Sequence, residues 1–375
     1  MNKNSFFALM LFATSTICSC KSIDTEIVSI DLKSNSVPID RIDNHIKIDS
    51  IIPVFSKNNQ ITDIDKIAFT GHEIFLLDKK MQSIFRINTE TKTLDSFLHK
   101  QGRARNEYVS ISDFAVSDKG EIFVLDGDTK KVNKYDSRGN YLSTFRTCSG
   151  TSIAVSEEGN FAIYCGLLNA DTAVIIYSRN GEKLYSSNYT KEVLDHPIGN
   201  GGFITAKKNS FVYSTPFDYC LHEAANGRNE DLVHFDFKSF NINRNEVENM
   251  SAISFHEWFQ KTDQVMFINN ISAYKDNIIA STDRNDVIFY DSMDGKGICL
   301  SCASPPYNML FAQNVVLNSK GRICSVISKE NFEQGILPWF TNNEFDVSMD
   351  KTKEDKENIK TQNSVSFYIL LGHLK

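Results

Sequence analysis

Between Ile111 and Arg146 the chain alternates short apolar runs with turn residues, reading ISDFAVSDKGEIFVLDGDTKKVNKYDSRGNYLSTFR. The runs DFAVS, EIFVLD, KVNKYD and YLSTFR have the length and alternation of strands. Asp118-Lys119-Gly120 and Ser137-Arg138-Gly139-Asn140 supply tight hairpin turns, because Gly and Asn accept the positive φ such turns need. Asp126-Gly127-Asp128 separates the second run from the third. Four antiparallel strands in about 40 residues make one unit that cannot bury both faces alone, so further units must flank it.

The pattern recurs. Before this stretch, Ile67 to Leu98 reads IAFTG, EIFLLD, SIFRIN and LDSFL; after it come IAVSEEGNFAIYC (153–165) and VIIYSRNGEKLYSS (174–187). The Ser-x-x-Gly turns at Gly120 and Gly159 are 39 residues apart, and the later turns at Gly139 and Gly181 are 42 apart. A fourth unit covers Phe203 to Phe237, a fifth runs over 271–302, and a sixth begins NVVLNSKGRICSVIS (314–328). Between the fourth and fifth, Val247, Met250, Ile253 and Trp258 are roughly helix-spaced and predict a short helical insertion over 245–261.

The sixth unit supplies two strands before Lys329 to Gln362, a stretch rich in Lys, Glu, Asp and Asn that reads as a loop. Ser364 to Leu371 then reads as a strand, and HIKIDSIIP (45–53) is left to complete the set. The expected fold class is all-β: a six-bladed β-propeller, closed by N- and C-terminal strands in the last blade, which removes exposed sheet edges.

Composition narrows the function classes. The chain has 375 residues, 41% hydrophobic and 23% charged, with net charge −7, so nucleic acid is not an expected partner. At the N-terminus, Lys3 precedes an apolar run from Phe6 to Ile17, which is secretory-signal anatomy and too short to span a membrane. The run ends in Ile17-Cys18-Ser19-Cys20, which resembles the bacterial lipobox with Cys20 as the lipidated first mature residue. The expected domains are therefore a signal peptide over 1–19, a polar tether over 20–44 and a propeller over 45–375. The remaining cysteines at 148, 165, 220, 299, 302 and 324 sit mostly isolated in strand-like contexts and read as buried free thiols.

With these residues in view, the chain resembles the six-bladed β-propeller lipoproteins of Bacteroides-type bacteria, distantly like NHL and TolB propellers. The resemblance rests on the lipobox, on Gln101-Gly102-Arg103-Ala104-Arg105-Asn106-Glu107-Tyr108 and on the closing strand within Asn363 to Lys375. That family usually carries Gly-x-Gly-Pro-x-Glu-Tyr or Phe between its first two blades; Gly102, Glu107 and Tyr108 match, while Ala104 and Arg105 replace the second Gly and the Pro. Asn363-Ser364 stands where Asn-Pro is usual. The resemblance implies the fold and a lipid-anchored address in the bacterial envelope, the outer membrane by preference. It carries no general activity.

Candidate chemistry is sparse. Loops joining second to third strands, and one blade's fourth strand to the next blade's first, share one mouth of a propeller channel. That mouth would gather Arg103, Arg105, Glu107, Tyr108, Asp126, Asp283 and Arg284, the expected ligand-binding residues. Arg offers a planar bidentate fork for a carboxylate or sugar hydroxyls. The competing role is structural, with Glu107 pairing a neighbouring Arg and Tyr108 packing between blades. Asp78 and Asp126 end equivalent strands and are expected to cap turns. His72, 99, 196, 222, 234 and 256 are scattered, so no metal or cofactor is expected. No P-loop, nucleophile elbow or H-E-x-x-H occurs. Two function classes remain: a lipoprotein whose mouth binds a glycan, peptide or protein, or a hydrolase or lyase of NHL-propeller type centred on the channel.

Overall fold

The computed structural model describes residues 25–33, 37–55, 61–71, 73–166, 171–189, 203–225, 227–312, 314–338, 348–349 and 365–375. Cys20, His72 and the loop holding His196 lie outside the described residues. In chain order the first strands are Ile27–Ser29 (β1), Ile46–Phe55 (β2), Lys66–Thr70 (β3), Glu73–Asp78 (β4), Ser83–Asn88 (β5), Thr93–Leu98 (β6), Asp113–Val116 (β7), Ile122–Asp126 (β8), Lys131–Tyr135 (β9) and Tyr141–Arg146 (β10). Then come Ser152–Val155 (β11), Phe161–Tyr164 (β12), Thr172–Tyr177 (β13), Lys183–Asn188 (β14), Ile204–Lys207 (β15), Ser210–Ser214 (β16), Cys220–Ala225 (β17) and Arg228–Asp236 (β18). The last are Ile268–Tyr274 (β19), Asn277–Thr282 (β20), Val287–Asp291 (β21), Lys296–Cys299 (β22), Val315–Leu317 (β23), Arg322–Ser328 (β24), Ser348–Met349 (β25) and Val365–Leu374 (β26).

The fold is all-β, in several sheets. Antiparallel units form in the orders β3-β4-β5-β6, β7-β8-β9-β10, β11-β12-β13-β14, β15-β16-β17-β18, β19-β20-β21-β22 and β23-β24-β26-β2, here units 1 to 6. A single parallel pair, Phe55 with Thr93, joins unit 6 to unit 1; the other units are separate sheets.

Strands such as EIFLLD are apolar at nearly every position because both faces are covered. In β4, Phe75 and Leu77 point to a core shared with Phe114, Ile122 and Val124 of unit 2. Ile74 and Leu76 point the other way, to a core shared with Cys324, Ile369 and Leu371 of unit 6. The same alternation builds cores between units 2 and 3, 3 and 4, 4 and 5, and 5 and 6. The first strands of the units touch in cyclic order, β3 to β7 to β11 to β15 to β19 to β23 and back to β3. Turn chemistry repeats with the units: Gly120 (φ +77°) donates to Ser117 O at 2.8 Å, and Gly159 (φ +84°) to Ser156 O at 2.9 Å.

The two terminal segments pair as the strand deficit required, with β2 antiparallel to β26 from Ile46–Leu374 to Phe55–Val365. Three expectations are corrected. The described part of the expected tether is packed: β1 runs parallel beside β18, and Val28, Ile30 and Leu32 are buried against units 4 and 5. Its cause is a period-2 pattern in VSIDL, short and set among polar residues. A five-residue helix, Ile39–Asp43 (α1), then buries Ile42. The helical insertion is two helices, Arg244–Val247 (α2) and Ala252–Phe259 (α3), because Ser251 starts a new helix by accepting the Ser254 N–H at 3.2 Å. The loop expected from Lys329 begins with a helical turn over Asn331–Ile336, whose Phe332 stacks on Tyr368 at 3.8 Å.

Leu370 of β26 is fully buried, whereas Ile27 of β1 is 70% exposed. Leu370→Ala should cost about 2–5 kcal/mol in denaturant melts. Ile27→Ala should stay within roughly 0.5 kcal/mol. Similar effects at the two sites would contradict the core assignment.

Candidate functional site

At the centre of the molecule the first strands of all the units line one cavity of about 260 Å³. Its walls carry Phe69, Phe114 and Tyr274 among shorter aliphatic residues. Strand direction sorts its polar groups by depth. Lys66 opens β3 and reaches inward, its Nζ 2.7 Å from Asp113 Oδ2 and 3.3 Å from Ile153 O. Asp113 is buried and also accepts the Ile153 N–H at 2.8 Å, so this pair ties the first strands of units 1, 2 and 3 together.

The other end of the cavity is ringed by the first-to-second turns. Thr70, Asp118, Glu157, Lys208, Lys275 and Ser319 come from units 1 to 6 in order, and each lines the cavity. Ser319 Oγ donates to Asp118 Oδ1 at 2.7 Å. No ion pair is formed by Lys208 or Lys275 among the described residues, and both are exposed. Just inside, Ser156 belongs to the cavity wall, but its hydroxyl is buried behind that wall and finds no hydrogen-bond partner among the described residues. A buried hydroxyl without a partner is uncommon and calls for a ligand or water.

The seven sequence-predicted site residues lie elsewhere, and none lines the cavity. Tyr108 is fully buried; its hydroxyl donates to Gln82 O at 3.0 Å and accepts the Lys100 N–H at 2.8 Å. Burial pushes that phenol up to about 12. Glu107 Oε2 accepts the Ala104 N–H at 2.8 Å, and its carbonyl accepts from Lys131 Nζ and Asn133 Nδ2, each at 2.7 Å. Gly102 faces that carboxylate so closely that a Cβ would sit 2.0 Å from Oε2. Arg103 and Arg105 stand exposed on the same loop.

The aspartates bind backbone. Asp78 Oδ1 caps Met81 N at 2.9 Å and Asp126 Oδ1 caps Thr129 N at 3.0 Å, the expected turn caps. Their second oxygens accept the N–H groups of Thr62 and Val109, each at 2.7 Å. Asp283 Oδ1 accepts Met266 N at 2.9 Å. Arg284 lies over the Phe240 ring at 4.2 Å, with Nε 3.3 Å from Asp286 and Nη1 donating to Asp263 O. Sequence reasoning placed these loops at one mouth of a channel. It missed the opposite mouth, where the only signal was one polar turn residue per repeat.

Two groups of described residues could offer metal donors within 4.8 Å: Cys220, His222 and Asp231, and Asp286, Cys299 and Cys302. In the first, His222 is buried and its ring nitrogens face Asp231 Oδ1 at 2.8 Å and Asp218 Oδ2 at 3.3 Å. In the second, Cys299 and Cys302 are joined as a disulfide, which corrects the expectation of free thiols there and removes two thiolate ligands. Cys148, Cys165, Cys220 and Cys324 are not disulfide-bonded in this structure.

Residues 56–366 match the model of a family described as Domain of unknown function (DUF4934). No curated protein sequence matches. Among solved structures, a protein of Bacteroides fragilis described as exported is similar over 93% of this chain and 99% of its own, with TM-score 0.64 and 14% identity. A member of the DUF4221 family from Bacteroides vulgatus is similar over 88% of this chain and 98% of its own, with TM-score 0.50 and 10% identity. At these identities the likeness is one of fold. Among the described residues no helix is long and apolar enough to cross a membrane.

Two outcomes follow from the loop contacts. Tyr108→Phe should cost about 1–3 kcal/mol, because buried partners lose the hydroxyl, while Arg103→Ala with Arg105→Ala should leave the melting temperature unchanged. Asp283 gives a pH signature: burial pushes its carboxyl up to about 6, against the N–H donors and Arg284. The folded state therefore favours the protonated form, and the stability it contributes is full below about pH 4 and lost as pH rises through 6. Asp283→Asn stays neutral, so its melting temperature should gain on the wild type between pH 4 and pH 7. Parallel pH profiles would refute the assignment.

Proposed function

The chain belongs to the DUF4934 family, and from that premise we propose that it is an exported, lipid-anchored six-bladed β-propeller that binds a small polar ligand in its central cavity. The observation that carries the reading is a central cavity whose rim bears the exposed Lys208 and Lys275, neither of them in an ion pair among the described residues. Asp118 on the same rim is engaged by Ser319, and the two ammonium groups, without carboxylate partners among the described residues, favour an anionic group on the ligand; each charge-assisted hydrogen bond is worth roughly 1.5–3 kcal/mol. A volume of about 260 Å³ is small for a ligand pocket and suits one sugar or one amino-acid residue. The ligand is accordingly the carboxylate-bearing end of a glycan or peptide, with the lysines holding the charge. The cyclic contact of the first strands and the cores between successive units support the propeller reading.

Cys20 would carry the lipid. Ile17-Cys18-Ser19-Cys20 supports this, as does a structural relative described as exported. From Cys20 to Glu26 the chain reaches at most ~20 Å, so an anchor there holds the domain close to the bilayer.

The ligand test is a thermal-shift panel of acidic monosaccharides and short peptides on the wild type. Lys208→Ala with Lys275→Ala should weaken any hit by about tenfold or more per lost charge contact. Equal affinity in a stably folded double variant would sink the cavity reading. Separately, Cys20→Ala should move the protein from the membrane to the soluble fraction, and a variant that stays membrane-bound would refute lipidation.

A further inference from the structure

Units 1 and 2 share a tie between the chain entering a unit and the end of its second strand. The strand registers define it: Lys66 pairs with Leu77 in unit 1, and Asp113 pairs with Leu125 in unit 2. In each unit the residue after that partner is an aspartate, Asp78 or Asp126. Its carboxylate accepts the N–H of the residue four positions before the first strand, Thr62 or Val109. In unit 3 Ser152 pairs with Tyr164. The same count lands on Cys165 and on Cys148. Their sulfurs are 3.4 Å apart.

We propose that Cys148 and Cys165 form a disulfide by exchange with a small-molecule or protein disulfide, a covalent version of the tie that aspartates make in units 1 and 2. The sulfurs need to close by roughly 1.3 Å to reach the ~2.05 Å of a bond. The surroundings already hold them: the Cys148 N–H donates to Tyr177 OH at 3.1 Å, and Cys165 N to Ala173 O at 2.8 Å. Cys148 is half-buried and Cys165 fully buried, so an incoming disulfide meets Cys148 first. The thiol of Cys165 beside it holds Cys148 below the ordinary thiol value, which favours the attacking thiolate.

The step balances. The Cys148 thiolate attacks one sulfur of glutathione disulfide, that S–S bond breaks, and one glutathione thiolate leaves. Cys165, deprotonated, then attacks Cys148 Sγ in the mixed disulfide and expels the second glutathione. The protein's two thiols lose two protons and two electrons, and the glutathione disulfide takes them up as two thiols. Such a bond persists in an oxidising compartment. The inference does not depend on the ligand cavity.

The test uses the purified full-length chain, reduced and then equilibrated with glutathione disulfide, unfolded in denaturant with iodoacetamide to block every remaining thiol, and cleaved after Glu157 and Glu158. Those cleavages separate the two cysteines, and no other cysteine lies between residues 148 and 165. The expected result is that the two fragments stay linked, with neither cysteine alkylated, and that reduction releases both. The oxidised wild type should also melt several degrees above Cys148→Ser with Cys165→Ser, a gap that a reductant closes. In Cys148→Ser, Cys165 should take up no glutathione while the chain is folded, because it is buried. Full alkylation of both cysteines after the equilibration, or glutathione left on Cys148 with Cys165 alkylated, would overturn the proposal.

Discussion

The antiparallel pairing of β2 with β26 holds the two ends of the chain in one sheet, and the cores on either side depend on it. β26 lies between β24 and β2, and its successive residues feed opposite cores: Leu370 belongs to the core shared with unit 5, Ile369 and Leu371 to the one shared with unit 1. Without β26, unit 6 keeps only β23 and β24 in contact, and two of the cores between units lose a wall. The segments that meet are far apart in sequence, as in the 2.9 Å contact of Asp49 with His373 across 324 residues. Contacts of such separation are made only after the loops between them close, so the ring is completed by its least local step.

Within the closed ring, fixed charges mostly hold loops. Burial alone would raise the Asp78 carboxyl, yet hydrogen bonds from Met81, Thr62 and Asp63 bring it below its usual value. The ionised form is thus the one the fold is built around, and the connection entering unit 1 is pinned by it. Asp126 pins the connection entering unit 2 through the Val109 N–H. Asp283 shows the opposite balance in unit 5, since it is buried more deeply than its two N–H donors compensate. One residue type at one repeat position therefore titrates in two directions, and Asp78 has the larger set of donors: Met81 N, Thr62 N and Oγ1 and Asp63 N, against Met266 N and Phe267 N at Asp283.

The strands, their turns and the meeting of the two termini were legible because each repeat carries its own period-2 pattern and its own glycine turn. Asp78 and Asp126 as caps were legible for the same reason. What was not legible depended on contacts between distant segments. β1 offers only Val28, Ile30 and Leu32, and nothing local says that unit 4 has a free edge for it. His222 looked isolated because Asp218 lies four residues earlier, in the loop that leads into β17, and Asp231 is supplied by the neighbouring strand. Cys148 and Cys165 looked like separate buried thiols because only the strand register reveals that they occupy matched positions. The candidate cavity was the least readable part. Its rim is one side chain from each of six turns, and a turn constrains its backbone far more than the identity of an exposed residue.

The position of β1 bears on how that rim would meet its surroundings. Glu26, just before β1, bonds Tyr290 at 2.8 Å and lies against Gly295 in the third-to-fourth turn of unit 5. Third-to-fourth turns share an end of the molecule with first-to-second turns, because alternate strands reverse direction. Glu26 therefore lies at the same end of the molecule as Lys208, Lys275 and Ser156. Under the proposed anchoring, the short connection would hold the cavity rim on the bilayer side, and the loop with Arg103 and Arg105 on the far side. A ligand reaching the cavity would then have to be thin enough to enter between protein and membrane, or be presented there. That geometry favours the end of a chain over a bulky folded partner, in keeping with the cavity's small volume.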